Sequence, residues 1–187
     1  PRLGYRDVKE ILLKTASREG LKPGNEGETF TANGGGFTFS RAFGAGILNV
    51  ADAVTTAKDW VNLGPLVTAE ASAEGGAIAD DGTPSTVELD LQSASIRVEH
   101  VEITVTVKHA NRGDVGFAIV SPGGMTTFAN NRPPDDAADF TDYTFTSPHF
   151  WGESAAGVWK VSAIDARANE VTGNLVSVKI KVYGTAQ

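Results

Sequence analysis

Cysteine is missing from all 187 residues. Its absence excludes disulfides, thiolate metal sites and cysteine nucleophiles together. It leaves secretion open, because a domain with a sufficient core needs no covalent staples. No apolar run approaches the roughly 18 residues that a membrane helix needs. Pro1–Gly20 is amphipathic and charged, without the apolar stretch of a signal peptide. Basic residues are outnumbered: 16 Lys and Arg stand against 23 Asp and Glu, a net charge of -7. Residues 1–64 hold eight basic against seven acidic side chains, and residues 65–187 hold eight against sixteen. So acidic a second part argues against nucleic acid or anionic membrane as a partner and leaves room for a cation. Hydrophobic residues at 41% are too many for a disordered chain.

The chain changes period part-way along. In Tyr5–Ala16, the residues Val8, Ile11, Leu12 and Ala16 fall at helical spacing, and Gly20, Pro23 and Gly24 stop the helix. Two β-rich runs follow, Glu28–Ala32 and Phe37–Ser40, joined by Asn33-Gly34-Gly35-Gly36, whose glycines supply the positive φ of a tight hairpin. A second helix follows Gly44-Ala45-Gly46, with Asn49 as N-cap and Val50, Val54, Ala57 and Val61 on one face. Beyond Leu63-Gly64-Pro65 the period is two. Val101, Ile103, Val105 and Val107 alternate with polar residues, as do Val87, Leu89 and Leu91, and Val176, Val178, Ile180 and Val182. This predicts one-sided antiparallel strands. Shorter strands are expected at Val115–Val120, Thr126–Ala129, Tyr143–Thr146 and Val158–Ile164, separated by Gly and Pro, as in a sandwich or barrel. Thr68–Pro84, rich in Ala, Glu, Gly and Ser, reads as a linker.

Particular stretches resemble a known family. Tyr5-Arg6-Asp7-Val8-Lys9-Glu10-Ile11-Leu12 is similar to the helix that follows the catalytic-serine helix of subtilisin-like proteases. Asn33-Gly34-Gly35-Gly36-Phe37-Thr38-Phe39-Ser40, with Phe43-Gly44-Ala45-Gly46-Ile47-Leu48-Asn49, resembles the kexin/furin ending of that catalytic domain. Further on, His100-Val101-Glu102, Asn111-Arg112-Gly113-Asp114, Val120-Ser121-Pro122-Gly123-Gly124, Phe140-Thr141-Asp142-Tyr143-Thr144-Phe145, His149-Phe150-Trp151-Gly152-Glu153, Gly157-Val158-Trp159 and Tyr183-Gly184-Thr185 are similar to the P domain of the proprotein convertases. The resemblance implies a mainly β protein. A jelly-roll-like antiparallel β-sandwich, the P domain at 65–187, would follow a helix–hairpin–helix remnant of a subtilisin-like α/β catalytic domain at 1–64. It further implies a non-catalytic C-terminal region of a secreted serine endopeptidase. That region would support folding and stability of its partner, the catalytic domain of the same protease, with an influence on calcium dependence.

The chemistry of the parent is not in the chain. Serine hydrolysis needs a nucleophile, a histidine base and an orienting acid. The family's Asp-Ser/Thr-Gly, His-Gly-Thr and Gly-Thr-Ser-x-x-x-Pro motifs are all absent, and in Gly82-Thr83-Pro84-Ser85 proline stands where the serine is required. The chain alone is therefore expected to be no enzyme, with no catalytic residue, and His100, His109 and His149 read as structural or surface residues. One cluster has the composition of a calcium loop: Asp135, Asp136, Asp139 and Asp142 follow the rigid Pro133-Pro134, and calcium takes about six to eight oxygens from flexible loops. The alternative is a solvated acidic loop with Asp142 capping a turn or paired with Arg112 or Arg132. Arg112-Gly113-Asp114 spells an integrin tripeptide but also reads as a structural turn, with Gly113 at positive φ and Asp114 bonded to nearby backbone. In an extended strand the adjacent Phe150 and Trp151 face opposite ways, so one of them is expected at the surface as a binding site. Three functions compete: an accessory region of the protease, a substrate- or matrix-binding module taking a protein substrate, or one piece of a divided enzyme. Burial of the faces of the two helices separates the last from the first.

Overall fold

A computed structural model describes residues 2–24, 28–130 and 135–187, with the side chain of Asn130 excepted. Two helices, α1 (Tyr5–Thr15) and α2 (Val50–Lys58), flank a small hairpin of β1 (Thr31–Ala32) and β2 (Thr38–Phe39). Nine strands follow: β3 (Leu66–Glu74), β4 (Ala77–Ile78), β5 (Ser85–Asp90), β6 (Ile96–Lys108), β7 (Val115–Val120), β8 (Thr126–Asn130), β9 (Phe140–Ser147), β10 (Val158–Asp165) and β11 (Gly173–Ala186). They form two antiparallel sheets, in the orders β5-β10-β7-β8 and β3-β11-β6-β9, with β4 also paired to β11. The inner faces enclose one core. It includes Val101, Ile103, Val105, Val107, Val178, Ile180 and Val182, as the period-two pattern predicts.

Local chemistry places these elements. Asn49 caps α2 by accepting from the Asp52 N–H at 3.1 Å. Asp7, in the first turn of α1, accepts the Gly4 N–H at 2.8 Å, where a carboxylate also suits the helix dipole. Phe37 and Phe39 of the hairpin belong to the sandwich core, so residues 2–64 are anchored to the sandwich by buried aromatic surface.

Two sequence expectations are corrected, and one open question is answered. Residues 66–74 are not linker but strand β3, paired along its length with β11. Its alternation is carried by Val67, Ala69, Ala71 and Ala73, which pack partly against the core, and alanine's weak strand preference hid the period. Val176 is exposed, because a bulge between Leu175 and Ser177 turns Leu175 inward in its place. The face of α2, whose burial the sequence left open, is largely exposed. Ala53 is buried, while Val50 and Val54 are more than half exposed, at 60% and 55%.

Candidate functional site

The seam between residues 2–64 and the sandwich is built on charge. Glu10 of α1 is 2% exposed and takes both nitrogens of the Arg97 fork at 2.8 Å. It also accepts the Trp151 indole N–H at 3.1 Å and meets Lys14 at 3.1 Å. Burial alone would raise its pKa, and these donors outweigh burial and hold the carboxyl below the usual range. A second fork joins Arg6 to the buried Glu99, at 2.6 Å from Nε and 2.5 Å from Nη2. Asp7 is also buried; burial pushes its carboxyl up, but the Leu63 N–H, the Trp60 indole and the Gly4 N–H bring it below its ordinary value. Lower on the seam, the Asn33 amide donates to the carbonyls of His149 and Trp151 at 2.8 and 2.9 Å. Glu153 Oε1 accepts the Gly34 N–H at 2.9 Å. Among the described residues, Glu153 Oε2 is the buried side-chain oxygen that has no partner.

The glycine run at 34–36 serves this seam as much as the turn. Only Gly36 of the three has a positive φ, 80°. A Cβ on Gly35 would overlap the backbone of Trp151–Glu153, so glycine is needed there for close approach.

Phe150 and Trp151 form no surface: both are buried, at 0% and 1% exposure. They sit in a turn closed by the bond from the Trp151 N–H to the Pro148 carbonyl, with Gly152 at φ 85°, so the alternation of an extended strand does not apply. Phe150 packs edge-on against Trp159, and Trp151 lies under α1, with Lys9 Nζ 5.1 Å from its ring. The four aspartates of the acidic segment do not converge. Asp135 pairs with Arg112 at 2.9 Å, Asp139 with Lys108 at 2.8 Å and the His109 N–H at 3.0 Å, and Asp142 bonds Thr106 at 3.1 Å. Asp136 is exposed. Among the described residues, no three metal-ligating side chains are grouped, and these carboxylates are held apart by cations and donors, so they do not fit calcium as they stand. Arg112 is thus paired to Asp135 rather than to Asp142, while Arg132, Pro133 and Pro134 lie outside the described residues.

Arg112, Gly113 and Asp114 form a single 3₁₀ turn without positive φ at Gly113. Asp114 is 3% exposed and accepts from the Asn169 side-chain amide at 2.9 Å, with Arg167 at 3.6 Å, so its carboxylate serves side chains rather than backbone. His109 is buried with Nε2 3.0 Å from Asp165. His100 stacks on Tyr183, whose hydroxyl donates to Glu102 at 2.6 Å, and that bond lifts the phenol to about 12.

The helix stripes read in the sequence lie open to solvent in part. Tyr5, Val8 and Leu12 on α1, Ile47 and Leu48 before α2, and Val50 and Val54 on it all stay exposed, although their spacing is that of helices meant to be covered.

Comparison with known proteins gives this arrangement relatives. The family model described as the proprotein convertase P-domain matches residues 98–182. The chain is 28% identical to Drosophila melanogaster neuroendocrine convertase 2 over 205 residues, covering 100% of this chain and 30% of that protein. It is 31% identical to the Sus scrofa neuroendocrine convertase 2 over 84% of this chain and 26% of the relative. Among solved structures it is similar to the Aeromonas sobria serine protease in complex with its chaperone, with a TM-score of 0.86, 21% identity, and coverage of 99% of this chain and 40% of that one. The chain thus spans less than a third of the two convertases, and the likeness to the Aeromonas protease is one of fold.

Proposed function

Residues 98–182 belong to the proprotein convertase P-domain family, and from that premise we propose that the chain is the non-catalytic C-terminal region of a secreted subtilisin/kexin-type serine endopeptidase. Residues 1–64 are the closing part of the catalytic domain and 65–187 the P domain. The role of the region is to hold that catalytic domain in its folded form. The observation that carries this reading is the pair of uncovered helix faces. Tyr5, Val8, Leu12, Val50 and Val54 present apolar surface at helical spacing, as elements do when the layer that covers them lies elsewhere in the protein. The ion pairs of Glu10 with Arg97 and of Arg6 with Glu99 support the same reading, since they fix α1 to the sandwich. The burial of Phe150 and Trp151 takes away the surface on which the sequence rested a substrate-binding role.

Val50→Asp tests the reading. In the 187-residue chain Val50 is exposed, and the substitution should leave the melting temperature within the small range usual for surface changes, about 0.5 kcal/mol. In the longer protein the same change would place a charge in an apolar contact and should sharply reduce the yield of active protease. Equal behaviour of the two proteins, both unaffected, would refute the proposal.

A further inference from the structure

We propose that the cavity between the β1–β2 hairpin and edge strand β8 binds an extended peptide through an acidic side chain. The cavity measures about 340 Å³ and is lined by Phe39, Arg41, Met125, Thr126, Phe128 and His149 among others. It is distinct from the helix faces that carry the protease assignment and does not depend on them.

Three observations converge on this ligand. The first is an uncompensated cation. Arg41 is exposed and forms no ion pair among the described residues, and its guanidinium rests on the Phe128 ring with 4.7 Å to the centroid. A fork held flat on an aromatic ring is already oriented, so less freedom is lost when a carboxylate binds it. The second is His149. Its ring stacks on Phe39 at 5.1 Å, and its Nδ1 shares a hydrogen bond with Thr127 Oγ1 at 3.0 Å, while Nε2 has no partner among the described residues. Burial, and then the charge of Arg41, lower its pKa, so the ring stays neutral at pH 7. The tautomer in which the Thr127 hydroxyl donates to Nδ1 carries the ring proton on Nε2 and gives the cavity wall a second donor beside Arg41. The third is the strand edge. β8 pairs with β7 on one side, ends its sheet, and has no backbone partner on the other side among the described residues. An unpaired edge is a template for an added strand, and main-chain bonds along it give affinity while pockets for alternate side chains give specificity. In such a strand, side chains on one face recur about every 6.6–6.8 Å. An acidic side chain over Arg41 and His149 therefore leaves the next one on the same face to lie along Phe128, which is 49% exposed. The chemistry selects a β-forming segment with one carboxylate next to apolar residues.

The test uses the whole 187-residue chain and two blocked hexapeptides, Ac-Thr-Val-Glu-Val-Thr-Val-NH2 and the same peptide with glutamine for glutamate. Affinity is measured at low salt, and contact is mapped by amide chemical shifts. The expected result is perturbation of the Thr126–Phe128 amides and of His149, with the glutamate peptide bound about tenfold tighter than the glutamine peptide, the factor of one charge-assisted bond. Arg41→Gln, at an exposed position, should remove that preference, and Lys160→Gln, an exposed cation on β10, should keep it. Phe128→Ala should weaken both peptides and, by freeing the Arg41 fork, narrow the difference between them. Equal affinity for the two peptides, perturbations that avoid β8, or a preference that survives Arg41→Gln would each overturn the proposal. So would concentration-dependent shifts of β8 without peptide, accompanied by a dimer in sedimentation, which would give the edge to a second copy of the chain.

Discussion

Glu10→Ala should be the most damaging single truncation on the seam. The carboxylate is 2% exposed and balances Arg97, Lys14 and the Trp151 indole at once. Removing one partner of a buried pair costs about 3–5 kcal/mol, because the other charge is left uncompensated. Here the Arg97 side chain keeps 26% exposure and Lys14 47%, so both turn partly to water, and the lower end of that range applies. The indole, buried with Trp151, has no such escape and adds the cost of one unmade hydrogen bond, about 1–3 kcal/mol. A loss of about 4–6 kcal/mol follows. At roughly 2–4 °C per kcal/mol for a chain of this size, the melting temperature should fall by about 8–24 °C. Urea unfolding followed by tryptophan fluorescence measures it directly, since Trp151 reports on the seam. Glu10→Gln should lose less, because the amide oxygen still accepts the indole N–H. The double variant Glu10→Leu with Arg97→Met should recover the part due to Arg97, since replacing a whole buried pair by apolar groups is often neutral, while the indole stays unpaired. A double variant no more stable than Glu10→Ala would show that the seam is held by something other than this pair.

Acid should weaken the fold in two stages. His100 and His149 have pKa values lowered by burial first, with Lys9 and Arg41 adding to it, so their stabilisation is complete above the ordinary histidine value of about 6.5 and fades as pH falls through the lower folded values. Asp7 and Glu10 are also depressed, so theirs is complete above about 4.5 and is lost below it; a pH series of melting temperatures should show both stages, and a flat profile from pH 7 to 3 would contradict them. Asp114→Ala should cost about 0.5–1.5 kcal/mol in chemical denaturation, the net worth of its bond to Asn169, since the exposed Asn169 and Arg167 turn to water. Gly35→Ala should cost about 1–3 kcal/mol by forcing the hairpin off Trp151–Glu153, seen as increased exposure of Trp151. Adding calcium should leave the melting temperature unchanged, and a rise abolished by Asp136→Asn with Asp139→Asn would show that the acidic segment regroups around the ion.

The sandwich was legible because its rule is local. Strand β6 announces its buried face through Val101, Ile103, Val105 and Val107, and any partner sheet would demand the same alternation. β3 was missed because alanine fills its inward positions, where β11 and the core supply the packing that the residue type does not advertise. Asn49 was legible as a cap because capping lies within one turn of its helix. Glu10, Asp7 and Glu99 were not. A charged residue in an amphipathic pattern reads as solvent-facing, and the arginines, amides and indole that make burial tolerable come from as far as 141 positions along the chain.

Those same residues bear on why α1 and α2 keep their apolar faces bare. A helix that buried its stripe against the sandwich would have Val8 and Leu12 inside and Glu10 in water. α1 does the reverse, turning Asp7, Glu10 and Ile11 inward. This costs desolvation of two carboxylates and spends fixed, directional contacts where apolar packing would have been simpler. The arrangement is economical only if the apolar stripe is required on the other side. A layer on that side explains both the bare stripe and the buried charges, whereas a chain that functioned with those helices in water would explain neither. Swapping the two faces of α1 in sequence, with Glu10 made leucine and Val8 and Leu12 made glutamate, should therefore be better tolerated by the 187-residue chain when Arg97 is also made methionine. In the longer protein the same set should abolish the active protease, and survival of activity there would break the argument.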